Sequence, residues 1–325
     1  MRAASYLCAQ GLAEALDALA LPGAIVVAGG TDLMVKGRTR DAYASRGLVD
    51  VCAVPELLGV REHDGMLDVG AAEPLANLVE SESVRRAAPV LWQAARHVGG
   101  VQTRNRATLG GNLANACPAA DGIVALVALG ATLQVAGPGE QRRSVPVEGL
   151  FRPCPACLAH EGMLVRTCLF ADPVAKKTTL APGELIERVL VPVRGEGERG
   201  VFRKLTCNEG VGLATVNVAA RVSVAPDGVV RDARACVGGL FPAPVALEGE
   251  GLPVEGTRLG AADAQVCAEV LARRMDAECA RLADGAYKRR VALALLADAL
   301  RALVDDGSGR DVPGVPGLRE VVEWS

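Results

Sequence analysis

A chain of 325 residues and 33.5 kDa is long enough for two or three modest domains, each with its own core. It is 50% hydrophobic and 22% charged but only 3% aromatic, so its cores must be packed with Ala, Val and Leu, and it has few ring platforms for single-stranded nucleic acid. The net charge of −3 argues against phosphate-backbone binding as the main role, and no apolar run approaches the roughly 18–20 residues of a membrane span.

The first element is an amphipathic helix over Leu12–Leu19, which Glu14 and Asp17 make unsuitable as an export signal. A turn at Pro22-Gly23 and a strand over 24–28 lead into a glycine-bearing loop. Strands follow over 48–51 and 66–69, and helices begin near Pro74 and Pro89, the second with Val90, Leu91, Ala94, Ala95 and Val98 on one face. A second glycine loop precedes an apolar helix over 121–129 and a strand over 132–135 that closes at Gly137-Pro138-Gly139. Residues 151–177 carry three cysteines, three prolines and little periodicity, and read as a loop insertion. Beyond a strand over 185–193, the charged stretch 194–200 reads as a linker. The remainder has strands over 215–224 and 233–237, then amphipathic helices over 261–274 and 287–304. Strands followed by helices indicate a separate α+β unit.

The chemistry is concentrated in two glycine pairs, Val26-Val27-Ala28-Gly29-Gly30-Thr31-Asp32-Leu33 and Thr108-Leu109-Gly110-Gly111-Asn112-Leu113-Ala114-Asn115. Glycine permits positive φ and lets backbone N–H groups approach an anion without a Cβ in the way, so the two motifs suggest two backbone clamps on one diphosphate-bearing ligand. Neither fits the P-loop or the Gly-x-Gly-x-x-Gly fingerprint. His63, His97 and His160 lie far apart and no nucleophile elbow surrounds any serine, which turns attention from side-chain bond cleavage to cofactor chemistry. Ten cysteines, scattered apart from one cluster, suit a reduced cytoplasm.

Read together, these motifs resemble the FAD-binding medium subunit of the molybdenum hydroxylases, the family of xanthine dehydrogenase and carbon monoxide dehydrogenase. The likeness runs through Ala28-Gly29-Gly30-Thr31-Asp32-Leu33, through Thr108-Leu109-Gly110-Gly111-Asn112 to Pro118-Ala119-Ala120-Asp121, through Lys177-Thr178-Thr179-Leu180-Ala181-Pro182-Gly183-Glu184-Leu185-Ile186, and through Phe202-Arg203-Lys204-Leu205. It implies an α+β chain: a two-subdomain FAD-binding fold of the PCMH type over 1–55 and 56–195, then a C-terminal α+β domain over 196–325 with an antiparallel sheet and helices. Backbone from Val27, Ala28, Gly29, Gly30, Thr31 and Asp32 would cradle the diphosphate of FAD, with Thr108, Gly110, Gly111 and Asn112 on its other side. Asp121 would accept from a ribose or ribityl hydroxyl, or cap the helix it begins. Leu33 and Leu180 would flank the isoalloxazine. Lys204 would lie near the ring, where a cation stabilises the reduced flavin and raises its potential.

The resemblance also implies a hetero-oligomer, with a molybdopterin-binding large subunit and a [2Fe-2S] small subunit as partners and NAD or ferredoxin as external acceptor. The alternatives are a self-contained flavin oxidoreductase and a scaffold that has lost FAD. The pair Cys154 and Cys157, with Cys168, sits where the usual family member has a short turn. A C-x-x-C pair suits one metal or one cluster, and three readings stand: a [4Fe-4S] cluster with Cys207 as fourth ligand (Cys117 and His160 being other candidates), a zinc site with His160, or unligated thiols. Cys8, Cys52, Cys236, Cys267 and Cys279 read as small apolar residues.

Overall fold

The computed structural model describes residues 3–39, 43, 45–139, 141–151, 178–208, 211–240, 243–249, 252–258, 266, 267, 269, 270 and 285–305. Three sheets organise them. Strands β1 (Ser5–Cys8), β2 (Ile25–Val27) and β3 (Gly47–Asp50) form a parallel sheet in the order β1-β3-β2. Parallel neighbours need crossovers, which helices α1 (Leu12–Leu19) and α2 (Thr31–Thr39) supply. Helix α1 buries Leu12, Ala15, Leu16 and Leu19, a stripe at helical spacing, in a core shared with Val49, Val51 and Val54.

The second sheet is antiparallel throughout. Strands β4 (Val60–His63), β5 (Met66–Gly70), β6 (Thr132–Ala136), β7 (Arg142–Pro146) and β8 (Leu185–Pro192) take the order β4-β5-β8-β6-β7. The helices α3 (Leu75–Glu80), α4 (Glu82–Ala87), α5 (Pro89–Arg96), α6 (Val101–Arg104), α7 (Leu109–Asn115) and α8 (Asp121–Ala128) lie between β5 and β6 in the chain. Every residue of α8 is buried, as expected of a helix that is apolar all round.

The third sheet explains that burial. It is antiparallel, with β9 (Glu198–Thr206), β10 (Ala214–Val224), β11 (Val230–Gly238) and β12 (Val245–Glu248) in the order β12-β11-β10-β9. Side chains alternate along β10. Val216, Val218, Ala220 and Val222 join the core under helix α9 (Gly285–Asp305), while Asn217, Ala219 and Arg221 face α8. Helix α8 is therefore packed between α5 on one side and β10 and β11 on the other. Among the described residues no helix is long and apolar enough to cross a membrane.

Several expectations change. The second glycine pair is the first turn of α7 and not a loop, because Thr108 caps the helix. The stretch read as a linker already forms β9 from Glu198 onward. Helix α2 and strands β1, β4, β7 and β12 were not evident from the sequence. Cys8 is exposed and Cys52 partly so, unlike the buried Cys236 and Cys267. The insertion lies outside the described residues, as do Cys279 and most of the helix expected over 261–274. Its two ends meet: Phe151 bridges to Thr178, and Thr179 N donates to Leu150 O at 2.8 Å.

Candidate functional site

The first glycine motif turns the chain from β2 into α2. Gly30 has φ +70°, which L side chains rarely adopt, and Gly29 approaches another backbone closely. A Cβ on Gly29 would stand 1.8 Å from Arg106 O and 2.8 Å from Ala107 Cα. The first motif thus lies directly on the segment that enters the second. A Cβ on Gly111 would come within 4.0 Å of the Ala28 Cβ, and Lys36 Nζ donates to Asn115 Oδ1 at 2.6 Å, tying α2 to α7. The two motifs, far apart in sequence, form one crease.

The two sides of the crease differ in which N–H groups remain to be satisfied. At α7, Leu109 N donates to Glu73 O (3.2 Å), Gly110 N to Ala71 O (2.8 Å), and Gly111 N to Thr108 Oγ1 (3.0 Å). The first-turn donors of α7 are therefore committed to the scaffold, and Thr108 and Gly110 are buried. At α2, Met34 N donates to Gly30 O at 2.8 Å, but among the described residues Thr31, Asp32 and Leu33 have no backbone partner for their N–H groups. A helix N-terminus with unassigned donors, behind a left-handed glycine, suits an anion. Across from it Gly111 is exposed, while the half-buried Asn112 turns its Oδ1 inward against Gly122 of α8, where it has no hydrogen-bond partner among the described residues. The exposed glycine and the α2 donors fit a diphosphate. Val27, Ala28, Gly29, Gly30, Thr31 and Leu33 are half-buried at the crease, and Asp32 is exposed.

Asp121 begins α8, but Ala120 occupies the cap position and no side-chain cap bond forms. The carboxylate instead meets Lys204 Nζ at 2.6 Å and Asn217 Nδ2 at 2.7 Å. Lys204 also donates to His97 O at 2.8 Å, and Asn217 Nδ2 to Ala119 O at 3.2 Å. Burial pushes the Asp121 carboxyl up to about 6, against the opposing pull of Lys204 and Asn217. Lys204 is thus a buried partner of Asp121, whereas a lysine at a strand end is usually solvated. Leu180 is half-buried and packs on the main core.

Comparison with known proteins bears on this geometry. Residues 2–194 match the FAD binding domain in molybdopterin dehydrogenase, and residues 201–303 match the CO dehydrogenase flavoprotein C-terminal domain. The chain belongs to this FAD-binding family of the molybdopterin dehydrogenases. It is 36% identical over 166 residues to the xanthine dehydrogenase FAD-binding subunit of Escherichia coli O157:H7, covering 50% of this chain and 56% of that one. It is 33% identical over 148 residues to the carbon monoxide dehydrogenase medium chain of Hydrogenophaga pseudoflava, covering 45% and 51%. The matched region thus spans about half the length of these relatives. In three dimensions the chain is similar to a carbon monoxide dehydrogenase structure from Hydrogenophaga pseudoflava, with TM-score 0.79 and 26% identity over 93% of this chain and 97% of that one.

Within this family fold, sequence reasoning missed two features. Asn217 carries no glycine-like signal, although a lone amide between Val216 and Val218 in an apolar strand is itself unusual. The carbonyl of His97 is a backbone group, invisible until its partner Lys204 is known. Cys154, Cys157, His160 and Cys168 lie outside the described residues. Cys207 is exposed, with its Sγ 3.3 Å from Thr215 Oγ1, and Cys117 is buried. Among the described residues no group of three or more His, Cys, Asp or Glu side chains is disposed to hold a metal ion.

Proposed function

We propose that this member of the FAD-binding family is the electron-transfer subunit of a molybdenum hydroxylase-type dehydrogenase, receiving electrons from the iron–sulfur centres of a partner and passing them to an external acceptor. The observation that carries the reading is the crease in which Gly29 lies against Arg106 and Ala107 while Thr31, Asp32 and Leu33 have no acceptor for their N–H groups among the described residues. FAD, when bound, supplies the exchange of electron pairs and single electrons.

The chain's own residues have three tasks. The α2 N-terminus, from Gly29 to Leu33, would hold the diphosphate by backbone donors and helix dipole. On the other side α7 would contribute shape through Gly111 and Asn112, its first-turn amides being used already. Lys204 would set the charge beside the flavin, and Asp121, both of whose oxygens are engaged, would act chiefly through Lys204 while sharing an acceptor site with a ligand hydroxyl. Leu33 and Leu180 would supply apolar walls.

The full assignment includes a molybdopterin-binding large subunit and a [2Fe-2S] small subunit, a cytoplasmic setting, and the domain limits at 55 and 195. The names of the relatives, an FAD-binding subunit and a medium chain, support its multi-subunit part. A metal at Cys154, Cys157 and Cys168 rests on cysteine spacing alone, and measured iron and zinc per chain decides between cluster, zinc and free thiols. The test of the main reading is FAD titration of the purified chain, followed by co-purification from its native host. Bound FAD at one per chain together with one larger and one smaller partner is the expected result. A chain that takes up no FAD overturns the proposal.

A further inference from the structure

Among the described residues Asn217 is the most buried polar residue, with 0% exposure. It stands directly opposite Lys204 in the β9–β10 register, so the two side chains leave the same face of the third sheet and arrive together at Asp121. They divide the carboxylate between them, Lys204 on Oδ2 and Asn217 on Oδ1. The surroundings are shaped to admit the amide. Gly238 pairs with Asn217 on its other side, and a Cβ there would stand 2.3 Å from Asn217 Oδ1, 2.5 Å from Val124 Cγ2 and 2.8 Å from Pro118 O. Even so, Asn217 Oδ1 has no hydrogen-bond partner among the described residues. A buried amide whose carbonyl is orphaned and whose neighbour must be glycine is a poor choice for packing alone. Its one strong bond is the donation to Asp121.

We infer that Asn217 is a positioning residue: its amide holds Asp121 in place and charged, so that Asp121 neutralises Lys204 and limits the positive charge that Lys204 presents to the flavin. The inference rests on the reading that Lys204 lies at the flavin ring. Without the Asn217 donor, a carboxylate surrounded by apolar packing shifts toward its neutral form, and the cation of Lys204 is left uncompensated. Uncompensated positive charge favours the reduced cofactor. The sequence places Asn217 within the C-terminal family match and Asp121 within the FAD-binding match, so the tuning crosses from one matched region to the other.

The experiment is the flavin midpoint potential of the full FAD-loaded chain, with FAD affinity measured alongside. Asn217→Leu, which removes both the donor and the orphaned acceptor, is expected to favour reduced over oxidised FAD by about tenfold more than the parent, a rise of about 30 mV for a two-electron couple. Asp121→Asn is expected to raise the potential similarly, and the double variant no further than Asp121→Asn alone, because Asn217 acts through Asp121. Asn217→Ser keeps a hydroxyl donor at shorter reach and is expected to fall between parent and Asn217→Leu, which provides a readout should the leucine variant not fold. An unchanged potential in the folded Asn217 variants, or effects of Asn217→Leu and Asp121→Asn that simply add, overturns the inference. Lys204→Gln separates the two layers: it should lower the potential, and if it leaves the potential unchanged the placement of Lys204 at the flavin fails first.

Discussion

Gly29→Ala and Gly111→Ala place one methyl group on either side of the crease, with opposite expected results. Ordinary contact begins at 3.4 Å, so a Cβ that would stand 1.8 Å from Arg106 O must drive the two segments apart by about 1.6 Å. Both partners are backbone and cannot rotate away. Overpacking of this kind costs about 1–3 kcal/mol, and the upper end applies here, which lowers Tm by roughly 4–5 °C at this chain length. At Gly111 the nearest atom is the Thr108 Oγ1 cap at 2.9 Å, and Gly111 is exposed. Alanine gains up to about 1 kcal/mol of helix propensity against disturbance of a cap worth about 1 kcal/mol, so the ligand-free fold should change little. Its methyl group would nevertheless occupy the crease facing Ala28. Thermal unfolding of the FAD-free chain and fluorescence titration with FAD separate the cases: Gly29→Ala loses stability and binding together, while Gly111→Ala keeps stability and loses at least about tenfold in affinity, or 1.4 kcal/mol. Full FAD affinity in Gly111→Ala would remove the diphosphate from the crease, and an unchanged Tm in Gly29→Ala would refute the backbone contact.

Other variants probe the scaffold. The raised carboxyl of Asp121 means that the folded chain binds this proton more tightly than the unfolded chain, so its contribution to stability is greatest below about 4, declines as pH rises to about 6, and is flat above. Urea midpoints of the parent minus those of Asp121→Asn should show that decline, and a difference independent of pH would contradict it. Arg188 is buried and bonds Asp68 at 2.5 Å and the carbonyls of Glu56 and Leu58 at 3.1 and 2.8 Å. Arg188→Met should therefore destabilise by about 3–5 kcal/mol in denaturant unfolding, since it strands a part-buried carboxylate, and a loss below about 1 kcal/mol would count against that network. Thr108→Val, which retains shape and removes the cap acceptor for Gly111 N, should lose about 1 kcal/mol.

What the sequence made legible was short-range or carried by residues with a single conformational meaning. Leu12–Leu19 was readable because Leu12, Ala15, Leu16 and Leu19 repeat at helical spacing. The first glycine pair was legible because Gly30 takes positive φ and Gly29 lies against the backbone of Arg106. Helix α2 was not legible: its sequence TDLMVKGRT has weak amphipathicity and an internal glycine, and the helix is set by its crossover between β2 and β3. Strands β4 and β7 escaped because charged residues fill them, as in VREH and RRSVP, and only pairing to β5 and β6 defines them. The second motif looked like a donor loop, but the acceptors that claim its amides, Ala71 O and Glu73 O, lie well upstream. Lys204, Asp121 and Asn217 become one unit only through strand register.

The bridge between Phe151 and Thr178 has a practical side. The main chain leaves the second sheet and rejoins it at one narrow neck, held by the Thr179 N to Leu150 O bond and by Thr179 Oγ1 donating to Gly149 O at 3.1 Å. Both anchoring strands, β7 and β8, are already paired with β6 on their own side of the neck. The two ends of the intervening segment are therefore held together by described residues alone, so its point of attachment to the sheet is set by the strands that flank it and stays the same whatever its length.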